Sequence, residues 1–571
     1  MKTRYIVPLL LFCLFACMAC EDDKTEMPRL FRPSFIASSC FAEDNTITLA
    51  WRTSGEATSY TVELSQDATF QSEKLETQTV EHGKCVFTNL RYETKFYARV
   101  RANNESLAIT SNWTEMGSSI STLSRTIPKI LYAVEGSRIS ETSVEIKWVV
   151  SEKNPVDGLA IWEEGTTEER QISLENASAG QYTITGLTPR TTYYVALTNS
   201  AAPEGAEKYN QQRFTTAGMP ADAVVVEDGV DLMDKIKAGM TDASKQALVF
   251  QLKNGVDYYL TAGGEVAAKT GDIKLTKSIA LLANPGERPT LYIREGCFNV
   301  KPESGNMPDI EYFVVDNVNI KETWTDSKPS KGSKTRLLNI GKHDAGTDFT
   351  IDRFEITNSD IVLPSAVLMM SDASEGVTTI NHIRIDNCLV SGINTSAVTK
   401  QFGFIHAINK GSNVWNDVSV TNSTFYEFYI SPGVFGAPTA NVPIAAGNKV
   451  VISNCTFYNW GSNKDGKNTY RAVGNFSKLT APLNLSVNNC VFGSSESKVL
   501  DAGGINLSSK GNYCTSDFEK MSDAGLTLIS LDTDDASLFR NIEENDFTVI
   551  DAESVIYKSE YGDPRWITVL D

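Results

Sequence analysis

Short runs of alternating apolar and polar residues dominate the first part of the chain. In Thr46–Trp51 and in Val144–Trp148 every second residue is apolar, so one face of each run is suited to a buried core. Short alternating runs separated by polar turns are typical of antiparallel β-sandwiches. The pattern therefore predicts two consecutive sandwich modules, at residues 33–124 and 125–217, each with a tryptophan in its core.

A different pattern, a repeat of about 34 residues, follows the turn at Ala217–Pro220. Each copy contains an apolar residue, then one variable residue, then a position that is usually asparagine. The third positions of the six aligned copies are Asn317, Arg353, Asn387, Asn422, Asn454 and Asn489. Such a repeat predicts a parallel β-solenoid over residues 218–571, because each coil can bury its apolar edge only against the next coil.

The repeat also predicts what successive coils place next to each other. Equivalent residues of neighbouring coils lie about 4.8 Å apart, so the asparagines would form a ladder at a tight turn. Cys388, Cys455 and Cys490 each follow one of these asparagines and would stack in the core as small apolar residues. Helical spacing in Asp231–Ala238 predicts a helix that caps the first coil.

The second module carries the pattern Leu-x-Pro-x-Thr-x-Tyr-x-Val, which resembles fibronectin type III modules. The matching residues are Leu187, Pro189, Thr191, Tyr193 and Val195. The first module keeps Leu90 and Thr94 at the corresponding positions. It departs from the pattern at Tyr92, Phe96 and Ala98, where proline, tyrosine and valine are expected. The resemblance implies sandwich modules that serve as spacers rather than as binding sites.

The repeat region resembles the parallel β-helix of pectate lyases and related polysaccharide-active proteins. Together with the two modules, it is similar to surface lipoproteins of the Bacteroidota that join fibronectin type III modules to a pectate-lyase-like β-helix, a domain of unknown function. The closing residues Gly562–Trp566 also resemble the C-terminus of those proteins. The implied fold class is all-β, with N-terminal β-sandwich modules followed by a right-handed parallel β-helix.

Residues 1–20 have the features of a lipoprotein export signal. Two basic residues precede an apolar stretch that is too short to span a bilayer. Cys20 follows this stretch and precedes an acidic run, which resembles lipoproteins that reach the outer membrane and the cell surface. Cys17 has the better Leu-x-Ala-Cys context and is the alternative lipidation site. Residues 21–32 would form an acidic tether, with lipid as the anchor.

Composition and charge narrow the classes of function. The chain has 52 Lys and Arg against 71 Asp and Glu, and this net charge of −19 argues against a nucleic-acid partner. Its four histidines argue against multi-histidine metal sites and against most Ser/His or Cys/His catalysis. The cysteines show no CxxC spacing, so neither a zinc site nor a disulfide scaffold is indicated. A disulfide between Cys40 and Cys85 stays open.

Four aromatic residues beyond the later asparagines, with one tryptophan and one arginine in nearby loop-like stretches, are the candidates for a polysaccharide site. These candidates are Trp415, Tyr426, Phe428, Tyr458, Trp460 and Arg471. Turns of a solenoid would project them along one flank, where planar rings stack on sugars and the arginine pairs with acidic groups. The alternative is that the rings pack under long loops as core. The first interpretation predicts a surface lipoprotein that binds a pectin-like or other complex glycan, with a glycan-uptake complex as candidate partner.

The sequence argues against the catalytic schemes of enzymes with a pectate-lyase-like fold. It has no Gly-His-Gly element, and Arg384-Ile385-Asp386 lacks the lysine of the Arg-Ile-Lys element. A Ca²⁺-dependent polysaccharide lyase is the alternative function, because Asp316, Asp352 and Asp386 would share one outward column that could bind Ca²⁺. Arg384 would then be the base or a clamp for the substrate carboxylate. An adhesin or structural solenoid without a glycan role is the third possibility.

Overall fold

The computed structural model describes most of the chain between residues 29 and 570, and every structural statement below concerns the described residues. These are 29–229, 231–260, 273–294, 298–322, 336–364, 367–372, 375–392, 402–407, 412–427, 429, 433–436, 449–461, 470–476, 483–501, 503, 505–519 and 525–570. They belong to two compact units, of residues 1–126 with 200–207 and of residues 127–199 with 208–571. No helix in these ranges is long and apolar enough to cross a membrane.

The first unit is an antiparallel β-sandwich. One sheet contains Ser34–Phe35, Phe41–Glu43, Thr46–Arg52 and Lys84–Phe87, and the other contains Ser59–Ser65, Glu76–Val80, Lys95–Asn104, Ile109–Thr110, Thr114–Glu115 and Ile120–Ser121; Ala37–Ser39 is a short 3-10 helix. Trp51 lies in the core, as its spacing predicts, and packs against Tyr60 with ring centroids 5.5 Å apart. Cys40 and Cys85 are separate thiols rather than a disulfide.

The second sandwich opens the second unit. Its sheets contain Ser143–Lys147 with Gln181–Thr185, and Gly158–Glu163, Arg170–Ser173, Thr192–Thr198 and Lys208–Thr215; the 3-10 helices are Gly136–Arg138 and Ala177–Ala179. Trp148 is buried in its core. The fibronectin-like pattern has a local cause, because the hydroxyl of Tyr193 accepts a hydrogen bond from the backbone N–H of Thr188 at 3.0 Å. This bond closes the turn that contains Pro189.

Three parallel sheets form the rest of the second unit. Sheet 1 contains Val224–Val226, Ala247–Leu252, Lys277–Leu282, Asp309–Asp316, Asp348–Thr357, Val377–Asp386, Ser412–Thr421, Lys449–Ser453, Leu483–Asn488 and Ile505–Lys510. Sheet 2 contains Asp257–Tyr259, Thr290–Ile293, Asn319–Glu322, Asp360–Val362, Leu389–Ser391, Thr424–Tyr426, Thr456–Tyr458, Val491–Phe492, Tyr513–Cys514 and Ile529–Ser530. Sheet 3 contains Ile273–Lys274, Phe298–Val300, Arg336–Ile340, Val367–Ser371, Ile405–Ala407, Phe435–Gly436, Arg471–Asn475 and Lys498–Asp501.

Each coil therefore passes through sheets 1, 2 and 3 in turn and pairs in parallel with the next coil. The inward side chains form one continuous apolar core, in which Phe425, Phe457 and Phe492 stack with centroids 5.2 and 5.1 Å apart. The three cysteines predicted to lie inside are buried. The helix Leu232–Thr241 packs Leu232 and Ile236 onto the start of this core. The predicted fold class, β-sandwich modules followed by a parallel β-helix, is confirmed.

An asparagine in the left-handed conformation makes the turn between sheet 1 and sheet 2 in six coils. These residues are Asn317, Asn358, Asn387, Asn422, Asn454 and Asn489, with φ between 50° and 58°. The amide of Asn387 donates to Oδ1 of Asn358 at 2.8 Å, and that of Asn454 donates to Oδ1 of Asn422 at 3.4 Å. Asparagine suits this turn because its short polar side chain tolerates the left-handed region.

The predicted register is wrong in one coil, where Asn358 rather than Arg353 occupies the turn. The lengths of successive coils differ here. Asp316 and Thr357, which are equivalent residues of neighbouring coils, are 41 residues apart, whereas the equivalent residues Asn358 and Asn387 are only 29 residues apart. A search for a constant period averages these two lengths. It therefore selects Ile351-Asp352-Arg353 instead of Ile356-Thr357-Asn358, which sits at the turn.

Residues Gly562–Trp566, near the end of the chain, form hydrogen bonds to turns of the β-helix. We call this segment the C-terminal clasp. The backbone N–H of Gly562 donates to the carbonyl of Asn489, and Oδ2 of Asp563 accepts from Thr424 Oγ1 at 2.7 Å. Arg565 donates to Oδ1 of Asn387 at 3.0 Å. The helices Asp535–Leu538 and Val555–Ser559, the 3-10 helices Ile542–Glu544 and Pro564–Trp566, and the hairpin Phe539–Asn541 with Asp546–Val549 complete this segment.

The second sandwich packs on the outer face of sheet 1. Met219 and Ala223, which follow the sandwich, pack against an outward apolar patch of sheet 1 that includes Val249 and Leu282. At Gly136 the two backbones approach so closely that a Cβ would lie 2.5 Å from the nitrogen of Gly286. This sandwich is therefore part of the same body as the β-helix, rather than the spacer that the sequence led us to expect.

Candidate functional site

A cleft of about 430 Å³ lies between the second sandwich and the outer face of sheet 1. Its volume is in the range of ligand-binding sites. Charged side chains from both elements line it: Arg190 and Arg213 come from the sandwich, and Asp316, Arg353, Arg384 and Asp386 come from three neighbouring strands of sheet 1. The cleft thus brings together three of the sequence-predicted site residues, Asp316, Arg384 and Asp386, with arginines that the sequence analysis did not propose as site residues.

Asp386 is the most deeply buried charge of the cleft, with 2% of its side chain exposed. Arg213 Nη2 and Arg384 Nη2 lie 2.9 and 3.0 Å from its Oδ2. Burial alone would raise the pKa of Asp386, but Arg213 and Arg384 outweigh it and hold the pKa below its ordinary value. For Arg213, burial would lower the pKa, and the charge of Asp386 instead raises it above the usual value.

Asp316 and Asp386 lie in the same column of sheet 1. Thr357 stands between them, because it pairs with Asp316 on one side and with Asp386 on the other. Asp316 Oδ1 accepts hydrogen bonds from Thr357 Oγ1 and Asn358 Nδ2 at 2.7 and 2.8 Å. Its Oδ2 lies 3.3 Å from Arg190 Nη2. Both aspartates therefore have basic and hydrogen-bonding partners that satisfy them within the protein.

The predicted three-aspartate metal column is wrong. Asp352 belongs to another column, where its carboxylate accepts a hydrogen bond from Asn381 Nδ2 at 3.1 Å. Asp316 and Asp386 are two strand spacings apart, about 10 Å, which is too far for one Ca²⁺ to bridge. No group of three or more His, Cys, Asp or Glu side chains that could hold a metal ion is found among the described residues.

Arg384, the predicted base of the lyase alternative, joins the sandwich to the sheet. Its Nη2 lies 3.0 Å from Asp386 Oδ2 and 3.4 Å from Glu164 Oε2. Glu164 also accepts hydrogen bonds from Nε and Nη2 of Arg213 at 2.8 and 3.2 Å. A guanidinium held between two carboxylates stays charged and is positioned as a structural clamp rather than as a proton acceptor.

Arg353 differs from the other arginines of the cleft. In register it lies between Tyr312 and His382 on adjacent strands, and 41% of its side chain is exposed. Its guanidinium lies over the Tyr312 ring, 5.4 Å from the centroid. Its carboxylate contact is Glu355 Oε2 at 3.6 Å, beyond hydrogen-bond distance. Among the described arginines that line the cleft, Arg353 is the one that has no carboxylate within hydrogen-bond distance.

The predicted aromatic flank is wrong as a sugar platform. Trp415 lies inside the strand Ser412–Thr421 and is buried, and Trp460 is completely buried with Nε1 donating to the carbonyl of Lys498 at 2.9 Å. Tyr426 and Tyr458 are half-buried against Phe547 of the C-terminal hairpin. The alternative interpretation, packing as core, holds for these side chains. Phe428 lies outside the described residues.

Arg471, the sixth candidate, is also bound to another side chain of the protein. It begins the strand Arg471–Asn475 of sheet 3 and forms an ion pair with Asp501, with both side chains mostly buried. Lys498 also contacts Asp501, at 3.0 Å. Arg471 therefore holds two neighbouring strands together instead of projecting from a loop.

One outward aromatic pair escaped the sequence analysis. Tyr259 and Tyr292 stack on neighbouring strands of sheet 2, with centroids 4.9 Å apart and an interplanar angle of 10°. Lys321 follows them in register on the next strand. Tyr259 and Tyr292 are 33 residues apart in the sequence, so extending the repeat toward the N-terminus would have revealed them.

Comparisons with known proteins assign no activity to the chain. Residues 450–566 match a family model described as a domain of unknown function (DUF5123). No curated protein matches the chain. Among solved structures, the chain is similar to the FN1–FN3 domains of chicken CNTN1, with 16% identity over 34% of this chain and 68% of that chain and a TM-score of 0.15. It is also similar to a two-domain fibronectin type III segment of chicken tenascin, with 15% identity over 34% and 100% and a TM-score of 0.18.

Proposed function

We propose that this chain is a lipid-anchored cell-surface protein that binds a carboxylated polysaccharide in the cleft between its second sandwich and sheet 1. The observation that carries the proposal is Arg353, a partly exposed guanidinium in a cleft whose other arginines are held by carboxylates. A planar guanidinium pairs with a carboxylate through two parallel hydrogen bonds, and such bonds are stronger than those between neutral groups.

The surroundings of Arg353 suit a bound uronate. Contact with the Tyr312 ring restricts the guanidinium, so less conformational entropy is lost when a ligand carboxylate binds. Glu355, at 3.6 Å, is close enough to attract Arg353 but does not hydrogen-bond to it. A ligand carboxylate would replace a weak contact, and no buried ion pair would have to break.

The direction of the site suits a polymer. Tyr312, Arg353 and His382 occupy one outward column on three successive strands of sheet 1, so the column runs along the axis of the β-helix with a spacing of about 4.8 Å. Asp417 continues the column on the next strand and contacts His382 at 3.6 Å. Polar groups repeated along a line can hydrogen-bond successive units of one extended chain.

Nothing in the cleft favours the lyase alternative over binding. A lyase needs a base that faces the substrate, whereas Arg384 lies between Asp386 and Glu164. It also needs a cation beside the uronate, and the three aspartates proposed for it do not share a column. We therefore expect retention of the polysaccharide without unsaturated product.

Lipid anchoring rests on the sequence of the first 20 residues, which lie outside the described part of the chain. We expect Cys20→Ala to move the protein from the membrane fraction to the soluble fraction of cells that express it, and Cys17→Ala to leave it in the membrane fraction. The reverse result would assign the lipid to Cys17. Release by neither substitution would contradict the anchor.

Affinity gel electrophoresis on polygalacturonate and on a neutral glucan tests the binding function. The wild-type protein should be retarded by polygalacturonate, and Arg353→Ala should weaken binding about tenfold or more, because a hydrogen bond to a charged group contributes about 1.5–3 kcal/mol. Arg540→Ala is the matched control, since Arg540 is similarly exposed and has a similarly weak acidic contact, Asp546 at 3.7 Å. Equal retardation of wild type and Arg353→Ala would exclude the cleft. No retardation of the wild-type protein would contradict the binding function.

A further inference from the structure

A buried carboxylate oxygen without a partner lies where the last coils meet the C-terminal segment. Asp535 has 1% of its surface exposed, and its Oδ2 accepts a hydrogen bond from the backbone N–H of Ser494 at 2.8 Å. Its Oδ1 has no hydrogen-bond partner among the described residues. A buried charged oxygen in this state is costly, so its position calls for a ligand.

Two more oxygen-bearing side chains face Asp535. Thr515 is also 1% exposed, and its Oγ1 makes no hydrogen bond of good geometry within the described residues, but it faces Asp535 closely enough to act against the rise in the pKa of that carboxyl. The carboxylate of Asp517 approaches Asp535 closely, and its Oδ2 lies 3.4 Å from the backbone nitrogen of Asp535. Burial, with the added charge of Asp517, raises the pKa of Asp535 to about 6.

A glycine lies directly beside the orphaned oxygen. A Cβ at Gly493 would lie 2.9 Å from Asp535 Oδ1 and 2.8 Å from Cδ2 of Tyr458. Any other residue there would crowd the oxygen. Asp517 is exposed, so the cluster can be reached from solvent, and water can complete the coordination of an ion.

We propose that Asp517, Asp535 and Thr515 bind a divalent cation of the oxygen-preferring class, Ca²⁺, between the last coils of the β-helix and the segment that follows it. Two carboxylates and a hydroxyl are oxygen ligands, and Ca²⁺ accepts six to eight oxygens in flexible geometry, including waters. Mg²⁺ is less suited because it demands a near-ideal octahedron and loses its waters reluctantly.

The cation would join parts of the chain that are distant in sequence. Thr515 and Asp517 follow the sheet 2 strand Tyr513–Cys514, whereas Asp535 begins the helix Asp535–Leu538 that leads into the C-terminal hairpin. Two like charges in contact repel each other, so the ion replaces repulsion by attraction and fixes the hairpin on the last coil. This site is separate from the cleft and is independent of the proposed glycan binding.

Terbium luminescence with the full chain tests the site, because Tb³⁺ substitutes for Ca²⁺ and is sensitised by a nearby tyrosine. Tyr458 lies near the site. Its pKa is raised mainly by burial and then by the charges of Asp535 and Asp517. We expect sensitised emission that Ca²⁺ reverses and Mg²⁺ does not. Asp517→Asn and Asp535→Asn should abolish it, and Thr515→Val should weaken binding about 10- to 100-fold, the range for groups that support a metal site.

Asp532→Asn is the matched control, because Asp532 is an exposed aspartate of the same segment and should bind Tb³⁺ like wild type. If Asp535→Asn fails to fold, the exposed Asp517→Asn still decides the question. Absence of emission, emission retained by Asp517→Asn, or a melting temperature unaffected by Ca²⁺ and by chelator would overturn the proposal. The alternative is that Asp517 and Asp535 share a proton and bind no ion. In that case Asp535→Asn should stabilise the protein, and by the same amount with and without Ca²⁺.

Discussion

Arg213 lies on the last strand of the second sandwich, and its Nη2 is 2.9 Å from Oδ2 of Asp386 on the β-helix. The same guanidinium also binds Glu164 of its own sandwich. Asp386 in turn accepts hydrogen bonds through Oδ1 from Thr421 and Asn422 of the next coil. One buried ion pair therefore links the sandwich to two successive coils of the solenoid.

Removal of the arginine from this pair should be costly. We expect Arg213→Ala to lower the free energy of unfolding by about 3 kcal/mol, because it leaves Asp386 buried with only one of its two basic partners. Urea unfolding followed by tryptophan fluorescence measures the change. Asp386→Asn keeps the acceptor oxygen for Thr421 and Asn422, so Arg213→Ala combined with it should cost less than the sum of the single changes. Strict additivity would contradict direct coupling.

The same carboxylate predicts how stability responds to acid. The folded-state pKa of Asp386 is below its ordinary value, so its contribution is fully present above the unfolded-state value of about 3.9 and is lost as the pH falls through the lower folded-state pKa. The stability difference between wild type and Asp386→Asn should therefore be constant from about pH 7 to pH 5 and should shrink below about pH 4. Urea unfolding across this range measures it, and a difference that grows on acidification would refute the assignment.

Trp460 should behave as a core residue. Its ring packs against Phe492 and Phe518, with centroids 6.0 and 5.5 Å away. We expect Trp460→Ala to destabilise the β-helix by about 3–5 kcal/mol, as truncation of a buried aromatic residue does. Tyr292→Ala, which removes a partly exposed ring, should cost about 1 kcal/mol at most. Chemical denaturation of the two variants compares them, and a Trp460→Ala protein as stable as wild type would show that the ring is not buried.

The asparagine ladder can be tested by separating backbone strain from hydrogen bonding. Asn387 has φ of +54°, donates to Asn358 and accepts from Arg565. Asn387→Gly removes these bonds but tolerates the left-handed backbone, whereas Asn387→Ala also incurs the cost of that conformation. We expect the alanine variant to be about 1–2 kcal/mol less stable than the glycine variant. Thermal or urea unfolding would show it, and equal stabilities would mean that the turn is not left-handed in solution.

The sequence indicated the solenoid and its asparagine turns because asparagine recurs at the left-handed turn between sheet 1 and sheet 2. It misplaced Trp460 for a related reason. The ring was expected to project from a turn along one flank, but it is completely buried directly after Asn459, whose φ is +49°. It also could not indicate the Arg213–Asp386 pair, since contacts made by docking of two elements leave no periodic signal. Asp352 was misassigned because unequal coil lengths shifted the register.

The C-terminal clasp has a consequence for the order in which the molecule is completed. Synthesis and export deliver the chain from its N-terminus, so the coils that contain Asn387, Thr424 and Asn489 emerge well before the residues that bind them. Asp563 is fully buried against Thr424 and Thr456 and has to be brought back across more than a hundred residues. Closure of such a long loop is an intrinsically slow step. In a growing chain the clasped turns therefore wait for their partners until the five residues of the clasp have emerged, so these hydrogen bonds are among the last contacts of the solenoid to form.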